Sequence, residues 1–445
     1  MMWYNLTIKQ LKNVRNFMIQ KPKGTSDFFL EKADLFQYIL DTFRKEAELF
    51  NYSYIQTPIL EFYDLFYRSV GETTDVVSKE MFIFNDRSER KMALRPEKTA
   101  GVIRSLVENK LIFNAENKFY YYGSMFRYER PQKGRYREFT QIGCEWIEDN
   151  SDFSDFEILL FASKFLGNFN FNKVILKINN LGNKVERENY LIELKKYFYK
   201  FKDKFDEISL KRLEKNPLRI LDDKEINHQD FIKNAPKLFD FLNSETVQKF
   251  NNLQNYLRKS NISFEIDYSL VRGFDYYNNL VFEFVYYDEE SRSELTILGG
   301  GRYSNLIEEL GGPKKDAIGF AAGVERLMIL LKEKEWEKPI KTSIFVFNKD
   351  HEDLYKNFDF VYKLRKRDLV VKQNVSNFKL QKIYSKIVNE GIKFLIFFDE
   401  KLNQIIIKNL INKNFLDLTN KSQEEKINLV KKFIESENKN ENNSK

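Results

Sequence analysis

The stretch Phe126-Arg127-Tyr128-Glu129-Arg130-Pro131-Gln132-Lys133-Gly134-Arg135-Tyr136-Arg137-Glu138-Phe139 lies at the centre of a long β-prone region. On either side of its middle, Phe119 to Tyr128 and Arg135 to Ile147 are rich in the aromatic and β-branched residues that strands favour. Between these two runs, Pro131-Gln132-Lys133-Gly134 supplies turn-forming residues. The pattern predicts an antiparallel hairpin with a basic tip.

The predicted hairpin brings several kinds of side chain to one face of the sheet. Arg127 lies on the first predicted strand, and Gln141 and Glu145 lie on the second. Because successive side chains of a strand alternate between its two faces, Gln141 and Glu145 share a face, to which Phe139 adds a ring. Such a surface could hold a nucleotide and a small amine together. The alternative is a solvated basic turn, which most charge runs are.

Two further blocks carry unusual combinations of residues. Leu270-Val271-Arg272-Gly273-Phe274-Asp275-Tyr276-Tyr277 places a cation, a carboxylate and two phenols beside a glycine that permits close backbone approach. Taken alone, this block also fits a strand with a surface Arg–Asp pair. Gly299-Gly300-Gly301-Arg302-Tyr303 fits neither a Walker loop nor a dinucleotide fingerprint. It indicates either a tight turn at a strand end or a glycine-lined wall for a small ligand.

Two blocks predict local changes of secondary structure. Leu94-Arg95-Pro96-Glu97-Lys98-Thr99-Ala100-Gly101 predicts a turn followed by a capped helix. Gly319-Phe320-Ala321-Ala322-Gly323-Val324-Glu325-Arg326 predicts a strand or turn that becomes a helix.

Composition excludes several classes of protein. The single cysteine, Cys144, excludes an internal disulfide framework and a cysteine-built zinc site. His228 and His351 are far apart, which argues against a histidine triad or a metal site with several histidines. No Gly-x4-Gly-Lys-Ser/Thr segment occurs, so a P-loop NTPase is disfavoured. Any catalysis must therefore use Arg, Glu, Gln, Tyr and backbone groups.

Length and charge limit the number of domains and the kinds of partner that the chain can have. A chain of 445 residues predicts two to four domains. No run approaches the roughly 20 apolar residues that span a bilayer, so we expect a soluble, cytoplasmic protein with no membrane partner. A net charge of +7 permits a polyanionic partner without proving one.

Apolar periodicity predicts the domain organisation. Residues 31–50 are typical of an amphipathic helix, and Tyr52 to Leu60 of a strand in which Pro58 indicates an edge or a bulge. Strand–helix alternation near the C-terminus predicts a compact α/β domain. The predicted boundaries are an N-terminal extension at 1–17, a main domain at 18–335 with a mainly helical insertion at about 166–258, a linker at 336–341, an α/β domain at 342–438 and a disordered tail at 439–445. Within the insertion, Val174 to Ile178 is a predicted short strand.

The order and content of these blocks resemble the histidyl-tRNA synthetase family of class II aminoacyl-tRNA synthetases, from about Lys23 to the 430s. The resemblance implies an α+β catalytic domain on an antiparallel sheet with a helical insertion, followed by a C-terminal α/β domain that binds the anticodon stem-loop. The helix and strand around Pro58 resemble motif 1 of the class, which implies a homodimer interface there. A simple helix–strand packing unit is the alternative for this region.

The resemblance also implies residue roles for the nucleotide and the tRNA. Arg127, in a segment that resembles motif 2, would grip the α-phosphate of ATP, and Phe139 would stack under the adenine. Arg326, in a segment that resembles motif 3, would cover the other face of the base; a planar guanidinium suits both tasks. Mg²⁺ would travel with the ATP phosphates, and no protein ligand for a metal is assigned. Arg130 and Gln132 would read the extra 5′ guanosine of histidine tRNA.

The histidine site is implied in the same way. The residues matching Glu97, Thr99 and Gln141 hold the α-ammonium in the family, and the imidazole would be read by Glu145 and Tyr277. Arg272 would bridge the histidine carboxylate and the α-phosphate. The residues assigned to histidine binding are Glu97, Thr99, Arg127, Gln141, Glu145, Arg272, Tyr276 and Tyr277, and the two catalytic residues are Arg127 and Arg272.

The implied reaction is that of a histidine–tRNA ligase. The histidine carboxylate attacks the α-phosphorus of ATP, which releases pyrophosphate and leaves histidyl-adenylate. The 3′-terminal ribose hydroxyl of the tRNA then attacks the acyl carbon. No side-chain nucleophile is needed, so catalysis would rest on positioning and charge stabilisation.

The chain departs from the family pattern at four positions. Lys98 stands where the family usually has Gly, and it must point away from the ammonium site. Thr140 replaces a frequent His, and by strand alternation it should face away from the ligand. Ser304 replaces a usual Asp beside the glycine-rich block, which puts the hydrogen bonding of that turn in doubt. Phe274 replaces Leu.

Three other functions remain as alternatives. A non-catalytic paralogue resembling the synthetase-like subunit of ATP phosphoribosyltransferase would lack the C-terminal domain and parts of the motifs. Another class IIa synthetase would lack the block Arg272 to Tyr277. A plain RNA-binding protein would need base-stacking modules or a stronger basic balance.

Overall fold

The structure of the protein is a computed structural model in two compact units, which divide after Trp336. The residues that it describes are 19–71, 74, 76–113, 117–132, 134–148, 151–171, 173–215, 217–221, 229–274, 276–288, 293–333, 336, 343–374 and 379–442. The predicted N-terminal extension at 1–17 lies outside the described residues, and so does most of the predicted linker.

Eleven strands are assigned in the first unit, in two sheets. Their bounds are β1 Ser53–Tyr54, β2 Leu60–Phe62, β3 Ile83–Asn85, β4 Lys91–Leu94, β5 Lys118–Phe126, β6 Glu138–Glu148, β7 Val174–Asn180, β8 Phe264–Ile266, β9 Asn278–Asp288, β10 Ser293–Arg302 and β11 Asp316–Gly323. Eight of them form a sheet in the order β1-β5-β6-β11-β10-β9-β7-β8, and β2, β4 and β3 form a small sheet. In the large sheet only the β1–β5 and β7–β8 pairs are parallel, which confirms the predicted antiparallel sheet.

The helices of the first unit cover the large sheet and form a helical region beside it. Their bounds are α1 Glu31–Leu49, α2 Tyr63–Val70, α3 Thr99–Glu108, α4 Asp152–Gly167, α5 Lys184–Tyr199, α6 Glu207–Lys215, α7 Leu218–Leu221, α8 Asp230–Lys233, α9 Ser244–Lys259, α10 Leu306–Glu309 and α11 Val324–Glu333, with short π or 3₁₀ turns at Val76–Glu80, Leu111–Phe113, Lys202–Lys204 and Leu238–Phe241. The apolar stripe of α1, which includes Ile39 and Phe43, is buried in the main core beneath the sheet.

The central hairpin forms nearly as predicted. Gly123 of β5 pairs with Gln141 of β6, and the two strands are antiparallel throughout. Strand β5 ends at Phe126, so the prediction that Arg127 lies on the strand is wrong by one residue. The hairpin loop begins at Arg127, although Arg127 N still donates to Arg137 O at 2.9 Å.

The predicted strand from Tyr52 to Leu60 is two strands in different sheets. Strand β1 pairs with β5 in the large sheet, whereas β2 pairs with β4 in the small one. Pro58 lies between them, and since proline cannot donate to a ladder, the chain changes sheets at this point.

The mainly helical insertion predicted at about 166–258 contains the predicted short strand, which is β7, but this strand belongs to the large sheet and not to a separate module. Strand β7 lies inside the large sheet between β9 and β8, and helix α9 packs against α4 over the main core. The physical reason is that Leu176 and Ile178 face the main core, which requires β7 to be paired there. We use the name helical module for residues 184–243, which contain α5 to α8.

The second unit is an α/β domain, as predicted. Its strands are β12 Ser343–Val346, β13 Val370–Gln373, β14 Phe394–Asp399, β15 Gln404–Asn409 and β16 Phe415–Asp417, in the order β13-β12-β14-β15-β16, and its helices are α12 His351–Arg365, α13 Leu380–Asn389 and α14 Gln423–Asn442. Strand β16 has no counterpart in the prediction.

The end of the chain differs from the predicted disordered tail. Helix α14 continues to Asn442, past the predicted tail start at 439, and residues 443–445 lie outside the described part. The helix is held near this end because the buried Glu437 carboxylate accepts hydrogen bonds from Asn409 Nδ2 at 2.6 Å and Asn412 Nδ2 at 2.5 Å. In the described ranges, no helix combines the length and the apolarity that crossing a membrane requires.

Strand β10 approaches β11 so closely that residue 300 must be glycine. A Cβ on Gly300 would overlap the carbonyl oxygen of Gly319 and come within 2.8 Å of Phe320 Cα, and both are backbone atoms. We therefore expect Gly300→Ala to lower the free energy of unfolding by at least about 2 kcal/mol, as overpacking does. Urea denaturation measures the change.

The matched control is Gly167→Ala at the end of α4, where a new Cβ would meet no atom within 4 Å. Because alanine favours helix more than glycine does, this variant should be neutral or more stable by up to about 1 kcal/mol. Equal unfolding midpoints for the two variants would contradict the packing argument.

Candidate active site

A cavity of about 330 Å³ opens on the face of the large sheet. It is bounded by the hairpin β5–β6, by β10 and β11, and by the loop before β9. All the side chains predicted to bind small molecules line it, namely Glu97, Thr99, Arg127, Phe139, Gln141, Glu145, Arg272, Tyr276, Tyr277 and Arg326. Arg130 and Gln132 do not line it; both are exposed in the hairpin tip.

The deepest polar group of the cavity is the carboxyl of Glu145, which is 1% exposed. Thr99 Oγ1 and the Tyr121 hydroxyl donate to its Oε1 at 2.8 and 2.9 Å, and the Tyr303 hydroxyl donates to its Oε2 at 2.5 Å. Burial raises the pKa of Glu145 to about 8, although the three hydroxyl groups oppose this shift by stabilising the ionised form. Burial therefore favours the protonated form of this carboxyl more than in water.

Two glycines make room for side chains of the site itself. A Cβ on Gly319 would overlap Glu145 Oε2, and a Cβ on Gly299 would lie 2.6 Å from Arg272 Nη1. The glycine-rich block is therefore a wall, as one of the two sequence interpretations held, but its Gly299 faces the guanidinium of Arg272.

Glu97 lies where α3 begins. Its Oε2 accepts from Thr99 N at 2.6 Å and its Oε1 accepts from Ala100 N at 2.9 Å. Burial raises the pKa of this carboxyl, while the two backbone donors lower it. The carboxylate thus caps the helix and also faces the cavity, so the two interpretations of this block are compatible.

Two buried atoms of the cavity have no hydrogen-bond partner among the described residues: Gln141 Oε1 and Arg272 Nε. One is an acceptor and the other a donor. Buried polar atoms in proteins are nearly always hydrogen-bonded, so an unpaired acceptor and donor in one cavity indicate a ligand that carries both kinds of group. An α-amino acid, with its ammonium and its carboxylate, meets this requirement.

The guanidinium of Arg272 also forms an ion pair with Glu283 on β9. Thr296 Oγ1 donates to the other oxygen of Glu283 at 2.7 Å. Glu283, itself held by Thr296, therefore fixes the orientation of the Arg272 guanidinium. Sequence analysis did not identify Glu283, because nothing in the local pattern of an aromatic-rich strand marks a carboxylate as a partner for a residue eleven positions away.

The mouth of the cavity carries positive charge. Arg127 Nε donates to Pro96 O at 2.9 Å, and its guanidinium lies 5.2 Å from the centre of the Phe139 ring. Arg326 Nε donates to Gly134 O at 3.1 Å, and its Nη1 donates to Thr296 O at 2.6 Å. Burial, together with Arg135 and Arg127 nearby, lowers the pKa of Arg326. An anion in the mouth would relieve this repulsion.

The structure gives a position to each of the four departures from the family pattern, of which Lys98 and Thr140 lie outside the cavity lining. Lys98 Nζ donates to Tyr122 O at 3.1 Å and Gln56 Oε1 at 3.3 Å, outside the cavity lining, as predicted. Burial and then Arg95 lower the pKa of Lys98 to about 7. Thr140 also lies off the lining.

Ser304 and Phe274 take different positions. The Ser304 hydroxyl is 3.2 Å from Asn278 Oδ1, which supplies the turn with a hydrogen bond. Phe274 lines the cavity, and its ring lies 5.8 Å from the guanidinium of Arg127.

Sequence analysis also missed two tyrosines that hold Glu145. Tyr303 ends the glycine-rich block, which was singled out without a role for its phenol. Tyr121 sits within the run of three tyrosines at 120–122, where strand alternation turns it towards Glu145. A buried carboxyl requires hydrogen-bond donors, but the local sequence does not specify which hydroxyl groups supply them.

The residues present do not fit a metal ion held by protein ligands alone. Within the described part of the chain, no group of three or more His, Cys, Asp or Glu side chains could hold a metal ion. The carboxylates of Glu97, Glu145 and Glu283 already accept hydrogen bonds from the protein. A divalent cation would need most of its oxygen ligands from a substrate.

Comparison with known proteins gives a consistent result. Residues 24–327 match the family described as Histidyl-tRNA synthetase. A relative in Mycoplasmopsis pulmonis, named histidine–tRNA ligase, is 41% identical over 426 residues, which are 93% of this chain and 98% of that protein. The solved apo histidyl-tRNA synthetase of S. aureus has a TM-score of 0.75 and 31% identity, covering 90% of this chain and 98% of that chain.

A more distant solved structure shares the fold. The protein from Bacillus halodurans described as an ATP phosphoribosyltransferase regulatory subunit/histidyl-tRNA synthetase has a TM-score of 0.59 at 20% identity. It covers 83% of this chain, and 97% of its own chain is matched.

The raised pKa of Glu145 predicts a pH dependence of stability. Between the unfolded pKa near 4.5 and the folded pKa of about 8, the folded state binds more protons, so the free energy of unfolding falls as pH rises through this window. Glu145→Gln cannot titrate and should lose less stability than the wild type between pH 5 and pH 8.5. One pKa unit corresponds to about 1.4 kcal/mol, so the difference is on the order of a few kcal/mol.

Urea midpoints at the two pH values measure this difference. Glu245→Gln on α9, where the side chain is 77% exposed, is the matched control and should follow the wild type. If Glu145→Gln and the wild type lost the same stability with rising pH, the buried carboxyl would not have the raised pKa.

Proposed function

Because the chain belongs to the histidyl-tRNA synthetase family, we infer that it is a histidine–tRNA ligase, which activates histidine with ATP and transfers it to the 3′ end of histidine tRNA. The observation that carries this function is the cavity in which unpaired Gln141 Oε1 and Arg272 Nε lie near the buried carboxyl of Glu145. This set of groups suits the three polar parts of histidine.

Histidine is proposed to bind with its ammonium at Glu97, Thr99 and Gln141. A carboxylate with neutral oxygen acceptors is a good ammonium site. Its imidazole N–H would donate to Glu145, which favours the ionised carboxylate, and the Tyr277 hydroxyl would donate to the other ring nitrogen. A site that bonds both nitrogens rejects side chains that lack them, by roughly 10⁴ or more. Tyr276 packs against Tyr277 with ring centres 4.6 Å apart and fixes that ring.

ATP is proposed to bind at the mouth. Arg127 would hold the α-phosphate, and the adenine would lie between Phe139 and Arg326. The hydrogen bonds of Arg326 to Gly134 O and Thr296 O use N–H groups, which lie in the guanidinium plane, so its faces remain suited to stacking. Mg²⁺ would come with the phosphates and neutralise part of their charge.

Adenylation then follows from position and charge. Arg272 would contact the histidine carboxylate and the α-phosphate together, which brings the attacking oxygen and the phosphorus into line. Arg127 and Arg272 would stabilise the charge that develops on the phosphate as pyrophosphate leaves. Glu283 holds Arg272 in place throughout, since it pairs with the guanidinium from β9.

The transfer step needs the tRNA beside the cavity mouth. The exposed hairpin tip, with Arg130 and Gln132, is proposed to contact the acceptor end and the extra 5′ guanosine. Residues 342–438, within the second unit, are proposed to bind the anticodon stem-loop. Residues 18–335 would form the catalytic domain, and the enzyme would work in the cytoplasm.

A homodimer is proposed through the region around Pro58. Tyr54, Ile59, Leu60 and Phe62 are each 42–52% exposed, which is a large apolar area for neighbouring residues. Exposed apolar groups of this kind mark interaction surfaces.

A regulatory paralogue is the second candidate. The Bacillus halodurans protein named above favours it only at the level of the fold. The intact set of cavity residues and the C-terminal α/β unit favour the enzyme.

ATP–pyrophosphate exchange with each of the twenty amino acids is the test of this function. Exchange with histidine alone is expected, because only histidine supplies both an imidazole for Glu145 and Tyr277 and an amino acid backbone. Exchange with no amino acid would overturn the enzyme in favour of the paralogue, and exchange with another amino acid would overturn the specificity.

Arg272→Ala should lower the rate of histidine-dependent exchange by about 10² to 10³, the range for losing one preorganised charge contact, and should change ATP affinity much less. Equilibrium ATP binding and steady-state exchange measure the two effects. Arg90→Ala, in a turn where the side chain is 61% exposed, is the control and should retain full exchange. Unchanged exchange in Arg272→Ala would contradict the proposed role.

A further inference from the structure

The helical module shares one hydrophobic cluster with the tyrosines of the histidine site. Tyr190, Leu194 and Phe198 of α5 belong to the same buried cluster as Tyr276 and Tyr277. None of the module residues that the structure describes lines the main cavity. The module is therefore packed against the back of the site, where it can act only through the residues between.

The segment just before α5 is hydrogen-bonded to the strand that follows these tyrosines, β9. Leu181 N donates to Asn279 O at 2.7 Å and Asn279 N donates to Gly182 O at 2.9 Å, so the chain entering α5 is paired with the start of β9. Asn183 and Glu186 form a capping box at the start of the helix. The Glu186 carboxylate also accepts from Asn243 N at 2.6 Å, which ties in the far end of the module.

Arg187, one position beyond the capping box, reaches the main chain of Tyr277. Its Nη1 donates to Tyr277 O at 2.8 Å. A hydrogen bond from a guanidinium is stronger than one between neutral groups, so it holds the carbonyl firmly. Since that carbonyl and the phenol belong to one residue, the bond restricts where the Tyr277 hydroxyl lies.

A second cavity, of about 170 Å³, lies on the module side of Tyr277 and is lined by Arg187, Lys184 and Asn278 among others. The space beside the Arg187 side chain means that a shorter residue there leaves room for water. Water can solvate the Tyr277 carbonyl, so the fold tolerates the loss of the guanidinium, but water does not fix the position of the carbonyl.

We propose that Arg187 is a positioning residue for histidine recognition, which holds the main chain at Tyr277 so that the phenol meets the imidazole. This inference rests on the proposed role of Tyr277 in reading the imidazole. It makes the helical module part of amino acid selection, because the bond from Arg187 to the Tyr277 carbonyl crosses from the module to the site.

Arg187→Met in the full chain tests the proposal by ATP–pyrophosphate exchange. The KM for histidine should rise about tenfold while the KM for ATP stays within about twofold, because only the histidine pocket loses a fixed group. Arg187→Lys keeps the charge and should recover part of the histidine affinity. Lys196→Met removes an exposed cation of the same helix, which pairs with Glu193, and should match the wild type.

An equal rise of both KM values, or no change in either, would overturn the proposal, since a general loss of structure affects both substrates. Arg187→Lys with no recovery in the histidine KM would also overturn it. The thermal unfolding midpoint of each variant separates a global loss of fold from a local effect.

Tyr277→Phe distinguishes failure of this proposal from failure of the proposed site. The histidine KM should rise in Tyr277→Phe, and adding Arg187→Met should raise it little further, because the hydroxyl to be positioned is gone. If the two substitutions raised the histidine KM independently, the positioning role of Arg187 would be contradicted and the role of Tyr277 would stand. No change in Tyr277→Phe would remove Tyr277 from imidazole recognition, and the inference about Arg187 would fall with it.

Discussion

The burial of the Glu145 carboxyl is the constraint on which the rest of the site depends. A carboxyl taken out of water costs free energy unless donors surround it, and here Thr99, Tyr121 and Tyr303 supply three. These donors come from the start of α3, from β5 and from the end of β10, so one carboxyl requires three separate elements to converge. Gly319 on β11 completes the arrangement by leaving space. The order of strands in the middle of the sheet is what brings these groups together.

Charge is arranged in layers around this centre. Acidic groups lie deep in the cavity, where Glu97 and Glu145 are 2% and 1% exposed, and the guanidinium groups of Arg127 and Arg326 lie nearer the mouth. Such an order suits a substrate whose cationic end enters first and whose phosphates remain near the opening. Arg272, paired with Glu283, lies where the two layers meet and can contact both parts of the reaction.

Local patterns in the sequence were enough to predict much of the fold and most of the residues that line the cavity. The hairpin, helix α1 and the shared face of Gln141 and Glu145 follow from alternation and periodicity, which are local properties. Contacts between residues far apart in the sequence do not follow from such patterns. Nothing near Tyr303 in the sequence specifies that its hydroxyl meets Glu145, 158 residues away. Strand β7 could be predicted from its own residues, but its pairing with β9 in the large sheet could not. Glu283 and Arg187 were missed for the same reason, since each acts through a contact that only the tertiary fold creates.

The two glycines that face Glu145 and Arg272, Gly319 and Gly299, limit how the sequence of this site can evolve. At residue 299, the three atoms nearest to an added Cβ all belong to the Arg272 side chain, so Gly299 and Arg272 behave as one unit under mutation. A side chain at residue 299 would therefore require a change at residue 272 as well. At residue 319, an added Cβ would also lie 2.4 Å from the main-chain oxygen of Cys144, so a change of Glu145 alone would not make room for it. The packing of this wall thus acts as a barrier to drift in specificity.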